Sequence, residues 1–114
     1  MQFNVGITGT GSLIGQAIIK SIIRSDYSDN YNLVGFDYFT DTVGSFLCKK
    51  NHILPDIYKN KNLINDWLKL IIKLILEEKL DIIFVGVDFE LMLFSKFKSE
   101  IELETKCKII ISPE

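Results

Sequence analysis

Histidine and tryptophan occur once each in this chain of 114 residues, and proline and cysteine only twice. Each scarcity excludes something. The lone histidine, His52, has no cysteine or acid at ligand spacing, which argues against a metal centre and marks it as structural. Cys48 and Cys107 are too far apart to form a ligand pair. With no signal sequence in Met1-Gln2-Phe3-Asn4, they point to a reducing cytoplasm and not to a disulfide scaffold. Their apolar neighbours place both thiols in or near the core. Charge is balanced: 13 Lys and Arg against 15 Asp and Glu leave −2, so no basic surface advertises nucleic acid. The longest apolar stretch, Trp67 to Leu76, is broken by Lys69 and Lys73 and falls short of the ~20 residues of a membrane span. The nucleophile elbow Gly-x-Ser-x-Gly and the phosphate loop Gly-x-x-x-x-Gly-Lys-Ser/Thr are both missing.

What is present is a soluble globular composition, 47% hydrophobic and 25% charged, sufficient for one domain spanning residues 1–114. Strand and helix signals alternate along it. Phe3 to Thr8 reads as a buried strand, and Gly6 within it suggests a close approach. Leu13, Ile14, Ala17, Ile18, Ser21 and Ile22 recur at helical spacing and predict a helix over 13–24 with that face on a sheet. A polar turn (25–30) leads to a strand from Tyr31 to Phe36, ending at Asp37. A helical turn is expected around residues 43–47, and a short strand over Asn51–Leu54, stopped by Pro55. Asn62 to Lys79 predicts a helix whose apolar arc is wider than one sheet face needs, consistent with deep packing or with a second subunit. Asp81 to Val87 is a continuous apolar strand, Asp88 is placed to cap the next helix, and Lys106 to Ile111 is the last strand. The expected fold is therefore α/β: an open parallel sheet of about five strands between helices, three layers in all, Rossmann-like.

In such sheets ligands sit beyond the C-terminal ends of the strands. Three segments meet there: the loop carrying Gly9, Gly11 and Gly15, the acid Asp37, and Asp88 with Glu90. The loop follows a strand and opens a helix, so its amides could receive a phosphate or carboxylate. Asp37 lies 22 residues after Gly15, near the spacing of a ribose-binding acid in a dinucleotide fold. Taken alone this suggests an NAD(P)- or nucleotide-binding module. Asp88 and Glu90 fit it poorly, because two carboxylates at the mouth of the crevice would repel a dinucleotide's phosphates. They suit an amine, hydroxyl or ammonium group on a small substrate.

The order of several pieces adds a resemblance. Val5-Gly6-Ile7-Thr8-Gly9-Thr10-Gly11-Ser12, Val34-Gly35-Phe36-Asp37, Cys48 to Pro55, Asp81-Ile82-Ile83-Phe84-Val85-Gly86-Val87-Asp88-Phe89-Glu90-Leu91 and Lys108 to Glu114 together resemble the N-terminal, pre-ATP-grasp domain of ATP-grasp ligases. The likeness is to the group similar to the carbamoyl-phosphate synthase large subunit. It implies a fold like the N-terminal domain of biotin carboxylase. It also implies a parent enzyme that uses ATP and magnesium to activate a carboxylate as an acyl phosphate for attack by an amine. By matching position, Gly11, Ser12 and Leu13 would line the substrate side of the cleft, with Asp37, Asp88 and Glu90 near it. The ATP and magnesium sites would belong to an ATP-grasp domain beyond Glu114. This chain would then hold no catalytic or metal-binding residue, bind no cofactor alone, and be silent in isolation. Its partners would be that ATP-grasp domain and a small carboxylate or amine substrate, with neither membrane nor nucleic acid. A dimerising domain that uses Trp67 to Leu76 is a further alternative.

Overall fold

The computed structural model describes residues 3–26, 28–38, 47–57 and 59–111. Five strands form one parallel sheet: β1 (Phe3–Thr8), β2 (Tyr31–Asp37), β3 (Lys50–Ile53), β4 (Ile82–Phe84) and β5 (Lys108–Ile110). Their spatial order is β3-β2-β1-β4-β5, with β1 at the centre. The chain grows outward one way through β2 and β3, then crosses back over β1 to β4. That reversal is the topological switch of a Rossmann-like sheet and opens a crevice above the tips of β1 and β4.

Strand alternation sorts the side chains into two layers. Val5, Ile7 and Leu33 face helix α1 (Leu13–Arg24) and pack with Ile19. Val34, Phe36, Ile83 and Ile109 face helices α2 (Ile64–Glu78) and α3 (Asp88–Thr105), where Trp67, Ile71, Phe94 and Ile101 complete the larger core. The two faces are unequally covered. On the α1 side, beyond that helix, Ile82 and Phe84 are half-buried and Ile110 is 42% exposed. Leu68, Leu70 and Ile72 of α2 also pack against the larger core, so much of its wide apolar arc is used within the chain, whereas Leu76 stays exposed.

Several expectations need correcting. Of the predicted inner face of α1, Ile18 and Ile22 pack against the core, but its buried centre is Gly15 and Ile19, and Leu13, Ile14, Ala17 and Ser21 turn outward. The reason is steric: a Cβ on Gly15 would lie 2.0 Å from the Gly9 carbonyl oxygen, so the helix is pressed onto the loop at a glycine. The fourth strand is shorter than the apolar run Asp81–Val87, because the Gly86 amide leaves the ladder and donates to Thr8 Oγ1 at 2.9 Å. The fifth begins two residues late, at Lys108. Lys106 is the left-handed cap of α3 (φ 64°), and the Cys107 amide donates to Thr105 Oγ1. The third runs over Lys50–Ile53, one residue ahead of expectation. The turn expected around residues 43–47 lies, apart from Leu47, outside the described residues.

Other readings hold. Side chains of Phe36, Leu80 and Ile83 close over Gly6. His52 stacks on Phe36 with ring centroids 5.6 Å apart. Cys107 is buried and Cys48 half-buried, and neither is in a disulfide. No described helix is long and apolar enough to cross a membrane.

Candidate functional site

The tips of β1, β2 and β4 meet in a knot of buried polar groups: Thr8, Thr10, Asp37 and Glu90. On the α1 side the knot is made by the glycine loop. Gly9 turns the chain with φ +67°, a conformation that side chains disfavour, and its missing Cβ leaves room for Val87. Its amide donates to the Phe36 carbonyl at 2.8 Å. Ser12 caps α1, its hydroxyl accepting from the Gly15 amide at 3.0 Å. The same oxygen lies 2.7 Å from the carbonyls of both Gly9 and Gly86, between which it shares its one proton. Loop, helix start and the end of β4 are thus pinned at one hydroxyl.

Asp37 closes this side. Its Oδ2 accepts from the Gly11 amide (2.7 Å) and the Thr10 hydroxyl (3.1 Å), and its Oδ1 accepts from the Tyr38 amide (2.6 Å). Both carboxylate oxygens are occupied within the chain, and only 8% of the residue is exposed. The amides of Gly9, Gly11, Ser12 and Gly15 all have intrachain partners as well. An anion cradle needs free amides, and here these four are already bonded.

On the α2–α3 side the arrangement differs. Tyr38 follows Asp37 at the strand tip, and its hydroxyl donates to Glu90 Oε2 at 2.5 Å. The Trp67 indole N–H donates to that same hydroxyl at 3.2 Å, and the Trp67 and Phe94 rings meet edge to face. Glu90 is fully buried, and its Oε1 has no hydrogen-bond partner. Burial pushes the Glu90 carboxyl up to about 7, and the charge on Asp37 adds to the rise. The Tyr38 hydroxyl opposes it, with lesser help from Thr8 and Trp67. Burial and Glu90 together hold the Tyr38 hydroxyl protonated far above the ordinary phenol range.

The predicted residues therefore separate. Gly9, Gly11, Ser12, Gly15 and Asp37 come together in one hydrogen-bonded assembly, with Glu90 on its far side. Leu13 does not join it, since it is 87% exposed at the outer start of α1. Asp88 does not cap α3: Val87 holds the cap position with no side-chain bond, and Asp88 is the exposed first residue of the helix. Nor does Glu90 stand at the crevice mouth beside Asp88. Residues two apart on a helix point in nearly opposite directions, so Asp88 faces out and Glu90 faces in. Thr8, Thr10, Tyr38 and Trp67 were missed as site residues. The available signal was two threonines and a tyrosine placed at apolar strand tips.

Among the described residues, no three His, Cys, Asp or Glu side chains are grouped to hold a metal ion. A groove of about 430 Å³ beside Ile22, Tyr31 and Lys49 lies near the starts of the strands, away from this knot.

This strand order and this crevice define a Rossmann-like α/β domain. No protein-family model matches the sequence, and no curated protein matches it. Among solved structures, it is similar to N5-carboxyaminoimidazole synthetase from Staphylococcus aureus at 17% identity and TM-score 0.49. That match covers 96% of this chain and 24% of the synthetase. The same enzyme complexed with ADP matches with the same score and 25% of its length covered. A dTDP-glucose 4,6-dehydratase from Bacillus anthracis in complex with NAD matches at 19% identity and TM-score 0.46, over 83% of this chain and 34% of the other. The chain thus spans about a quarter of the synthetase's length. Likenesses this distant carry no argument about activity, and the fold stands on the strand order itself.

Proposed function

We propose that this chain is the substrate-side, pre-ATP-grasp domain of an ATP-dependent carboxylate–amine ligase, of the group similar to the carbamoyl-phosphate synthase large subunit. Residue resemblance along nearly the whole chain supports this reading. So does one structural observation: both oxygens of Asp37 already accept hydrogen bonds within the chain, from Gly11, Thr10 and Tyr38. A ribose would have to add its bonds to oxygens that already hold three intrachain ones, and a pyrophosphate would compete for the amides of Gly9, Gly11, Ser12 and Gly15, which are already bonded. Engaging both within the chain disfavours the NAD(P) module and suits a wall that shapes a cleft. By the same resemblance, ATP and its metal would be held by an ATP-grasp domain.

The coding sequence downstream of Glu114 is the direct test. A segment with a glycine-rich lid and paired acidic metal ligands supports the ligase, and an unrelated segment or none opposes it. Titration with NADH, followed by its fluorescence, tests the rival. Micromolar binding that is lost in Asp37→Ala would overturn the ligase reading. The isolated chain is expected to show no magnesium-dependent ATP hydrolysis.

A further inference from the structure

Tyr38 is a hub for three elements. It sits at the tip of β2, its hydroxyl donates to Glu90 on α3, and it accepts from Trp67 on α2. The hub contains one unsatisfied buried atom, Glu90 Oε1. With Glu90 protonated, that atom carries no net charge and the hub is tolerable as it stands. With Glu90 ionised, a charged oxygen without a donor is confined beside Trp67, in a core where Phe94 is also fully buried, and such an oxygen is strongly disfavoured. Relief requires water or an outside donor to reach Oε1, and Tyr38 and Trp67 are the two side chains hydrogen-bonded in series to this carboxyl.

We propose that Tyr38, Glu90 and Trp67 form a proton-operated latch that holds the tip of β2 against α2 and α3 when Glu90 is neutral and loosens when Glu90 is ionised. The groups facing Glu90 are consistent with control by this one carboxyl. From β1 comes Thr8, from β2 come Asp37 and Tyr38, and from α2 comes Trp67. Of these only Asp37 is a second carboxyl, and its two oxygens are bonded to Gly11, Thr10 and Tyr38 on the far side of the strand tip. Glu90, at about 7, is the group whose charge changes near neutrality. The latch goes beyond the ligase reading and does not depend on which ligand the cleft takes.

Trp67 is the only tryptophan in the chain and is fully buried, so its fluorescence reports the latch alone. The experiment is acrylamide quenching of Trp67 in the folded chain between about pH 5 and about pH 9, bracketing an elevated carboxyl. Quenching should rise severalfold with a midpoint near 7. Glu90→Gln keeps the shape and the acceptor for Tyr38 and should abolish the rise. Tyr38→Phe removes the hydroxyl that favours the charged form, so its midpoint should move upward by about one unit or more. Carboxyl NMR of the wild-type chain needs no variant and should show one glutamate titrating near 7. Flat quenching in the wild type would overturn the latch. So would a rise that persists in Glu90→Gln, or a carboxyl spectrum in which every glutamate titrates near its ordinary value.

Discussion

Asp37 and Tyr38 are adjacent in the chain, yet they serve opposite sides of the sheet tip. Asp37 turns toward the glycine loop and closes it with three hydrogen bonds, one of them from the amide of Tyr38 itself. Tyr38 turns toward α2 and α3 and meets Glu90, a second buried carboxyl with one oxygen left over. Two acids near the same strand tips therefore have different characters. The first has donors for both oxygens and acts as a structural tie. The second is short of donors and is held near the edge of ionisation. Donor supply separates them more than burial does, since both are nearly inaccessible to solvent.

The largest effect is expected where the loop side is tightest. Gly15→Ala would drive a Cβ to 2.0 Å from the Gly9 carbonyl oxygen and 2.8 Å from its carbon. Backbone cannot yield there as a flexible side chain would. A loss of about 3 kcal/mol or more is expected, read as a lowered denaturant midpoint or as failure to fold. Asp37→Ala strips three donors of their acceptor at once. It should destabilise by about 3 kcal/mol, because buried groups left unpaired bear their full desolvation penalty. A loss below about 1 kcal/mol would mean that the tie is weak and would dissolve the contrast between the acids.

Glu90→Gln should act in the opposite sense, and only in one pH range. A carboxyl raised in the folded state binds its proton more tightly there than in the unfolded chain, where the value is 4.5. Its contribution is therefore fully present below about 4.5 and is lost as pH rises through about 7. Wild-type stability should fall by about 3 kcal/mol across that window. Glu90→Gln should remove most of the slope and be the more stable protein at about pH 8, measured by urea unfolding at several pH values. The smallest effect is chemical. Burial pushes the Cys48 thiol up to about 11 and the Cys107 thiol up to about 12. Both should react slowly with a disulfide reagent at neutral pH, Cys107 the slower because it is fully buried.

The sequence made the fold legible because its apolar runs and glycine turns follow the two periodicities that set strand and helix. It was less informative wherever a side chain bonds out of register. Gly86 leaves β4 for the Thr8 hydroxyl, and that exchange shortens a strand whose apolar pattern continues to Val87. The inner face of α1 was legible at Ile18 and Ile22 but not at its centre, whose mark is a glycine pressed on a carbonyl, which an apolar count does not register. In the site, Asp37 and Glu90 were visible as acids at strand tips, but their difference was not. It depends on which donors arrive: those of Gly11, Thr10 and Tyr38 meet Asp37 where β1 pairs with β2, while Glu90 meets Tyr38 only after the chain has crossed back to α3. Asp88 looked like a cap because a carboxylate preceded a helical pattern; the helix starts on it instead, with Val87 in the cap position.

The central place of β1 also bears on how the chain is made. Val5 pairs with Leu33 on one side and with Ile82 on the other. On a ribosome adding about 5–20 residues per second, β1 would wait about 4–15 s after synthesis for its second neighbour. No other strand in the sheet waits so long. Through that interval the edge of β1 that β4 will take stays open, while β2 holds only the opposite edge.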